Sequence, residues 1–501
     1  MDHWMLNEMI HLLVVTTFCL CECGVLAQPP PPAQTVTVSV NGSAVLATTG
    51  AGLFSGNFDW HLNNEEPPAW DNCSINIMKI NDTKTIYLAS QLSPGHLRIG
   101  GSEGDVMIYD IGEHLPCKPG FCLSMDRWQQ IVAFSQETDL KLVFGLNCMY
   151  GRANKSAQWD KRNSDAFLQY TAQHKLPVYG FEVCNEKQGQ VHADVMADSY
   201  QDVHEMLVKY WPDVATRPKL IGPDENPNAG FLEEFLPLVA DVIDAVTVHI
   251  YTGYGLDHNL PAQITTGQYL DKYQSTLAPL AKVINDKAPK AEIWIGETAA
   301  AWHSGQMNTT NTFLSGFWYL DALGTAANNN VQAFCRQTLI GGYYELLNRT
   351  TRDPNPDFYT GLLWNKLMGT KMLHVTSTVS RSSLRLYAAC SAASFQAKTP
   401  GSVTVAFINI ADTAFSASPA SLVHRIDGKE NLGTIEYHLI PGDGQMTLRT
   451  TQMMLNDKLL ELDENNKLPA MDGLVRSGPV LIAPKSYGFV VVPDANADVC
   501  M

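Results

Sequence analysis

At 501 residues the chain is long enough for one barrel-sized domain and a smaller second one. With 34 Lys+Arg against 51 Asp+Glu, a formal charge of −17 and no basic run, it argues against a surface for nucleic acid or other polyanions, which relies on clustered cations. A hydrophobic share of 45% sets it among globular rather than disordered chains.

The N-terminal residues stand apart from the fold. The apolar run ending in Val25-Leu26-Ala27 suits signal-peptidase cleavage before Gln28, so residues 1–27 read as a signal peptide and 28–34 as a proline-rich linker. The leading segment has no Lys or Arg, so an uncleaved anchor, with membrane or cell-wall association, or a mis-set start codon is the alternative. Sequons at Asn41, Asn72, Asn81, Asn154, Asn308 and Asn348 favour export, to the exterior or to a lysosome- or vacuole-like compartment. Of 11 cysteines, Cys19, Cys21 and Cys23 fall in the leader. Cys148, Cys184 and Cys335 sit in or beside strand-like runs and read as buried thiols, and no spacing resembles a zinc site. Cys117 and Cys122 enclose "KPGF", a turn that would permit a local disulfide.

Along the chain, "TVTVSV" (35–40) is a strand with nothing beside it to pair with. Apolar runs then recur at 52–60, 96–101, 140–147, 178–186, 219–224, 245–251, 291–297 and 331–339, separated by stretches with apolar spacings of three and four. Eight strands alternating with helices predict an α/β fold, a closed (β/α)8 TIM barrel, over 51–372. From 373 to 501 the texture changes to short alternating strands between Gly, Pro, Asp and Ser turns, among them "LRLYAAC", "SVTVAFINI", "TIEYHLI", "QMTLRT", "PVLIAP" and "SYGFVVVP". These predict a C-terminal β-sandwich that the N-terminal strand, 35–50, would join.

Polar side chains gather at the carboxyl ends of the predicted strands, the face on which such barrels carry their active sites: Asp59, Ser102, Asn147, Asn185, Glu186, Asp224, His249, Tyr251, Glu297 and Gln337. Glu297 closes the apolar run "AEIWIGE", where an ionised carboxylate is unfavourable unless paired or put to use. Glu186 ends the fourth strand and Glu297 the seventh, so the two can face each other across the barrel mouth. One would protonate a glycosidic oxygen while the other attacks the anomeric carbon, with neither metal nor organic cofactor required. Repulsion between them, with burial, predicts a raised pKa for the acid and a bell-shaped rate profile with an acidic optimum.

"YGFEVCNE" and "IWIGET" resemble the acid/base and nucleophile segments of retaining barrel glycosidases. With "LRIGGSEGDVMIYD", "LVFGLNCMYGR", "VTVHIY", "FWYLDALG", "CRQTLIGGYYELLN" and "PNPDFYTGLLWNKLMGTKML", the string from about Gly52 to Cys500 resembles the heparanase-like β-glucuronidases of glycoside hydrolase family 79, in their plant-type branch. The resemblance implies Glu186 as acid/base, Glu297 as nucleophile, Asn185 near the sugar 2-hydroxyl, Tyr251 on the nucleophile and His249 beside it. It implies Asp59, Ser102 and Gln337 around the terminal sugar, and backbone N–H groups at His303 and Ser304 with the Tyr344 hydroxyl around the uronate. It also implies a Cys390–Cys500 disulfide. The chain departs from its relatives in carrying Trp302 for a Tyr and Tyr343-Tyr344 for Asn-Tyr. The expected partner is a β-glucuronide-bearing glycan or glycoconjugate. Another retaining β-glycosidase of the same clan and a non-catalytic secreted glycan-binding relative are the alternatives, and endo or exo action and oligomeric state are open.

Overall fold

Each of the eight apolar runs forms a parallel strand in the computed structural model, which describes residues 32–61, 68–418, 433–444 and 447–501. The strands are β1 (Phe54–Asp59), β2 (His96–Gly100), β3 (Lys141–Leu146), β4 (Gly180–Val183), β5 (Lys219–Glu225), β6 (Ala245–Tyr254), β7 (Glu292–Trp302) and β8 (Val331–Arg336). They close in chain order, β8 pairing with β1. A helix follows each in turn: α1 (Thr83–Ser90), α2 (Met125–Glu137), α3 (Arg162–Gln173), α4 (Ala193–Tyr210), α5 (Ala229–Val239), α6 (Gly267–Lys287), α7 (Ser315–Asn328) and α8 (Pro356–Leu367). Side-chain caps start several of them: Ser124, Asn228 and Thr266 accept from the backbone N–H three residues on, as N-caps do. The signal peptide expected at 1–27 lies outside the described residues, as do residues 28–31 of the linker. Among the described residues, no helix is long and apolar enough to cross a membrane.

Period-two alternation sorts each barrel strand into two faces. In β2, Leu97 and Ile99 pack outward into the main core, while His96 and Arg98 point into the barrel. Val143, Ile221, Ala245, Trp294 and Ala333 fill the barrel floor. Above that apolar layer the interior turns polar, which positions the site.

β9 (Met368–Ser377) runs directly on from α8 and continues into β10 (Leu384–Ser391) and β11 (Val403–Asn409). They lie in a large antiparallel sheet with Val38–Thr48 at one edge. The position drawn between 372 and 373 therefore falls inside β9. Gln34–Val36 pairs in parallel with Phe415–Ala417 in a second, three-stranded sheet, so the N-terminal stretch contributes to both layers. Leu384, Leu386 and Ala388 face the core between the sheets, together with Val36, Phe415 and Ile482. On the other face of β10, Arg385 and Tyr387 reach Asp321 of α7, with Tyr387 Oη donating to Asp321 Oδ1 at 2.6 Å. "QMTLRT" forms no strand over 447–450, where the chain turns, and its first two residues lie outside the described ones.

Cys390–Cys500 and Cys117–Cys122 are disulfides. So is Cys148–Cys184, which corrects the reading of these two as buried thiols. Neighbouring strands explain it: β3 and β4 pair through Leu146 and Val183, which brings Cys148, two residues on, and Cys184, one residue on, to a Cα separation of 5.0 Å. Cys335 is a buried free thiol, as is Cys73. Five sequon asparagines, Asn41, Asn72, Asn81, Asn154 and Asn308, are exposed and Asn348 is half-buried.

Candidate active site

Arg98 organises the polar layer. Its guanidinium, fully buried, donates to Glu182 Oε2 at 2.8 Å, Glu297 Oε1 at 2.8 Å and Asn185 Oδ1 at 2.9 Å, and also to Asp224. One cation thus holds carboxylates from β4, β5 and β7. Burial would raise the pKa of Asp224, but Arg98 and His249 hold it well below the usual carboxylate range. Glu182 has less compensation, and burial pushes it up to about 8 against the pull of Arg98.

Glu186 and Glu297 meet above this layer, one oxygen of each lying within 4.8 Å of the other. The second oxygen of Glu297 accepts from Tyr251 Oη at 2.8 Å. Glu186 takes a left-handed backbone, φ 55°, and its N–H donates to the Asp224 carbonyl at 2.9 Å. That corner turns its side chain to His249, whose Nδ1 lies 2.8 Å from Glu186 Oε1 and whose Nε2 lies 2.8 Å from Asp224 Oδ1. Burial would lower the pKa of His249, yet Asp224 and Glu297 raise it well above its ordinary value. The hydrogen bond and charge of His249 in turn outweigh burial at Glu186 and lower the pKa of that carboxyl. This reverses the expectation of a raised acid pKa, which counted the second carboxylate but no cation between the two. Glu186 and His249, joined by this hydrogen bond, titrate as a pair.

The two carboxylates open onto a cavity of about 650 Å3. Asp59, Ser102, Asn185, Tyr251, His303, Ser304, Gln337 and Tyr344 all line it, while His249 lies wholly buried behind the carboxylates. Asn57 of β1 donates to Gln337 Oε1 at 3.1 Å, and Gln337 Nε2 donates to Asp59 Oδ2 at 2.7 Å, fixing the floor of one half. Burial, with Glu103 and Glu297 nearby, pushes Asp59 well above the usual carboxylate range. Asn185 gives its carbonyl oxygen to Arg98 Nη2 and to Gly101 N–H, at 2.9 and 3.2 Å. After β7, His303, Ser304 and Gly305 are successively left-handed, with φ of 61°, 62° and 74°. Trp70 Nε1 donates to Ser304 Oγ at 2.8 Å and Tyr343 N–H to the Ser304 carbonyl at 2.7 Å, holding this turn against the loop that carries Tyr344.

Arg98 and Glu182 were not among the residues singled out from the sequence, and Asp224 was named only as a polar strand end. The signal was present, since a charge on the inward phase of an otherwise apolar strand requires a buried partner. His61, Trp70 and Asn226, which also line the cavity, come from loops and left no such signal.

The family model described as "Glycosyl hydrolase family 79, N-terminal domain" matches residues 35–324. The chain belongs to glycosyl hydrolase family 79. Heparanase-like protein 3 of Arabidopsis thaliana is 31% identical over 93% of this chain and 94% of its own length. The baicalin-beta-D-glucuronidase of Scutellaria baicalensis is 30% identical, covering 85% of each chain. Among solved structures, the GH51 arabinofuranosidase from Xanthomonas axonopodis pv. citri superimposes with a TM-score of 0.64 at 10% identity over 91% of this chain and 99% of that one, a likeness of fold. The family 79 barrel thus presents a carboxylate pair at the mouth expected of a glycoside hydrolase.

Proposed function

We propose that this family 79 enzyme hydrolyses β-linked glucuronic acid in glycans or glycoconjugates with retention of configuration. The closeness of Glu186 and Glu297 carries the reading: oxygens within 4.8 Å suit the short spacing of direct attack by one carboxylate rather than the wider spacing that admits a water. Glu297, steadied by Arg98 and Tyr251, forms a bond to the anomeric carbon as the bond to the leaving oxygen breaks. Glu186 gives that oxygen a proton and His249 shares its own across the hydrogen bond. In the second half Glu186 takes a proton from water as the water displaces Glu297. The baicalin-beta-D-glucuronidase relative supports a uronate in the sugar site, and the Tyr344 hydroxyl with the left-handed turn at His303 and Ser304 offers it donors. Exposed sequons and three disulfides support export to an extracellular or vacuole-like compartment.

One observation favours a second reading: no Lys or Arg is among the described residues lining the cavity, which suits a neutral β-glycoside equally well. Turnover of nitrophenyl β-glucuronide against the β-glucoside, with the anomer of the first product followed by NMR, separates the two. Glucuronide preference and a β-configured product are expected. Preference for the glucoside would replace the glycone, and an inverted product would remove the double displacement.

A further inference from the structure

We infer that Trp302 and Tyr254 form the leaving-group platform of this site and that it takes a flat, uncharged aromatic aglycone; this rests on the glycosidase reading above. The two rings stack with centroids 4.4 Å apart at 27°, on paired positions at the ends of β7 and β6. Trp302 is 50% and Tyr254 38% exposed, while Trp302 also lines the cavity.

The direction of the site follows from the barrel. The polar, buried half, where Asp59 and Gln337 meet, belongs to β1 and the end of β8 and suits a hydroxyl-rich sugar. The turn after β7 divides: Ser304 is drawn toward Trp70 and the β8 loop, whereas the Trp302 ring leans the other way onto β6. Glu186, which must reach the leaving oxygen, stands at the end of β4. The departing group is therefore directed over β4 to β7, where the exposed stacked pair waits. Leu256 and Met307, 54% and 60% exposed, stand on the two loops that extend this edge, which Gly255 N–H joins by donating to the Trp302 carbonyl. Indole offers a broad π-face without a charge, and among the described residues no Lys or Arg lines the cavity to hold a sulfated or carboxylated leaving group.

The test compares Trp302→Ala with wild type on 4-methylumbelliferyl β-glucuronide, methyl β-glucuronide and a glucuronyl disaccharide with a neutral sugar in the leaving position. The variant should lose about tenfold in kcat/KM on the aryl substrate, chiefly through KM, and at most about twofold on the methyl one. Equal losses on aryl and methyl substrates would overturn the platform, and a larger loss on the disaccharide would assign it to a sugar. Wild-type inactivity on all three would instead sink the glucuronidase reading. Titration with 4-methylumbelliferone, which carries no sugar, keeps the two apart. Saturable binding weakened in Trp302→Ala and in Tyr254→Ala supports the platform, and no binding to wild type overturns it.

Discussion

At the scale of single residues, the roles proposed for Glu186 and Glu297 are two chemistries that mutants can tell apart. Glu186→Ala removes the proton donor but leaves Glu297 with both of its hydrogen-bond partners, so substrates with good aryl leaving groups should be affected much less than alkyl glycosides. The spread should be on the order of 10²-fold or more, read as kcat against leaving-group pKa; equal losses across the series would remove Glu186 from the acid role. Tyr344 sits on the sugar side, buried and lining the cavity. Tyr344→Phe should cut kcat/KM for glucuronides about tenfold while barely touching the glucosides, because only the former offer an anion to the lost donor. An unchanged glucuronide-to-glucoside ratio would send the search for uronate recognition elsewhere. The carboxylates themselves were legible as charges that end apolar strands. The sign of the Glu186 shift was not, because it depends on where His249 stands between Glu186 and Asp224, a relation among three strands that no local spacing encodes.

Among elements, the eight barrel strands were readable because each is a short apolar run bounded by turn residues, and their polar ends announced the functional face. The end of β4 was only half readable. Cys184 and Glu186 both adopt left-handed backbone, with φ of 70° and 55°, and the Cys148–Cys184 disulfide ties that corner to the end of β3. A parallel pairing that sets two strand ends side by side lies in the topology rather than in either segment, which is why the thiols were expected to be free. The bridge closes a span of 36 residues, so Cys148→Ser with Cys184→Ser should lower stability by about 3–4 kcal/mol on the chain-entropy view. The acid corner should loosen with it, so kcat should fall more on alkyl than on aryl glycosides. Urea unfolding and the two-substrate assay check this, and full stability in the double variant would show that packing alone fixes the corner.

For the whole molecule, an acidic chain that buries so many carboxylates has a stability set by pH. Burial pushes Glu225 up to about 8 against hydrogen bonds from the Lys187 and Gln188 backbone, and Asp105 up to about 7 despite its ion pair with Lys187. Glu182, also about 8, behaves alike. Unfolded, each would release its proton near pH 4, so between about 4 and 8 the folded state binds more protons and stability falls as pH rises. His249 adds to this: its raised folded value contributes stability that is complete below about pH 6.5 and lost as pH climbs through that value. Asp224 and Glu186 work oppositely, since their lowered values contribute stability that is present above about pH 4 and lost as pH falls below it. The two sets bracket a maximum at about pH 4 to 5, with a decline toward pH 8 of about 1.4 kcal/mol per pH unit for each excess proton bound. Thermal unfolding at pH 5, 6.5 and 8 should give a Tm that drops across the series, and Glu225→Gln, which removes one of the titrating groups, should flatten that drop. A Tm that rose from pH 5 to pH 8 would mean that these buried carboxyls are ionised in the folded protein, and would return the acid corner to a simple ion-pair network.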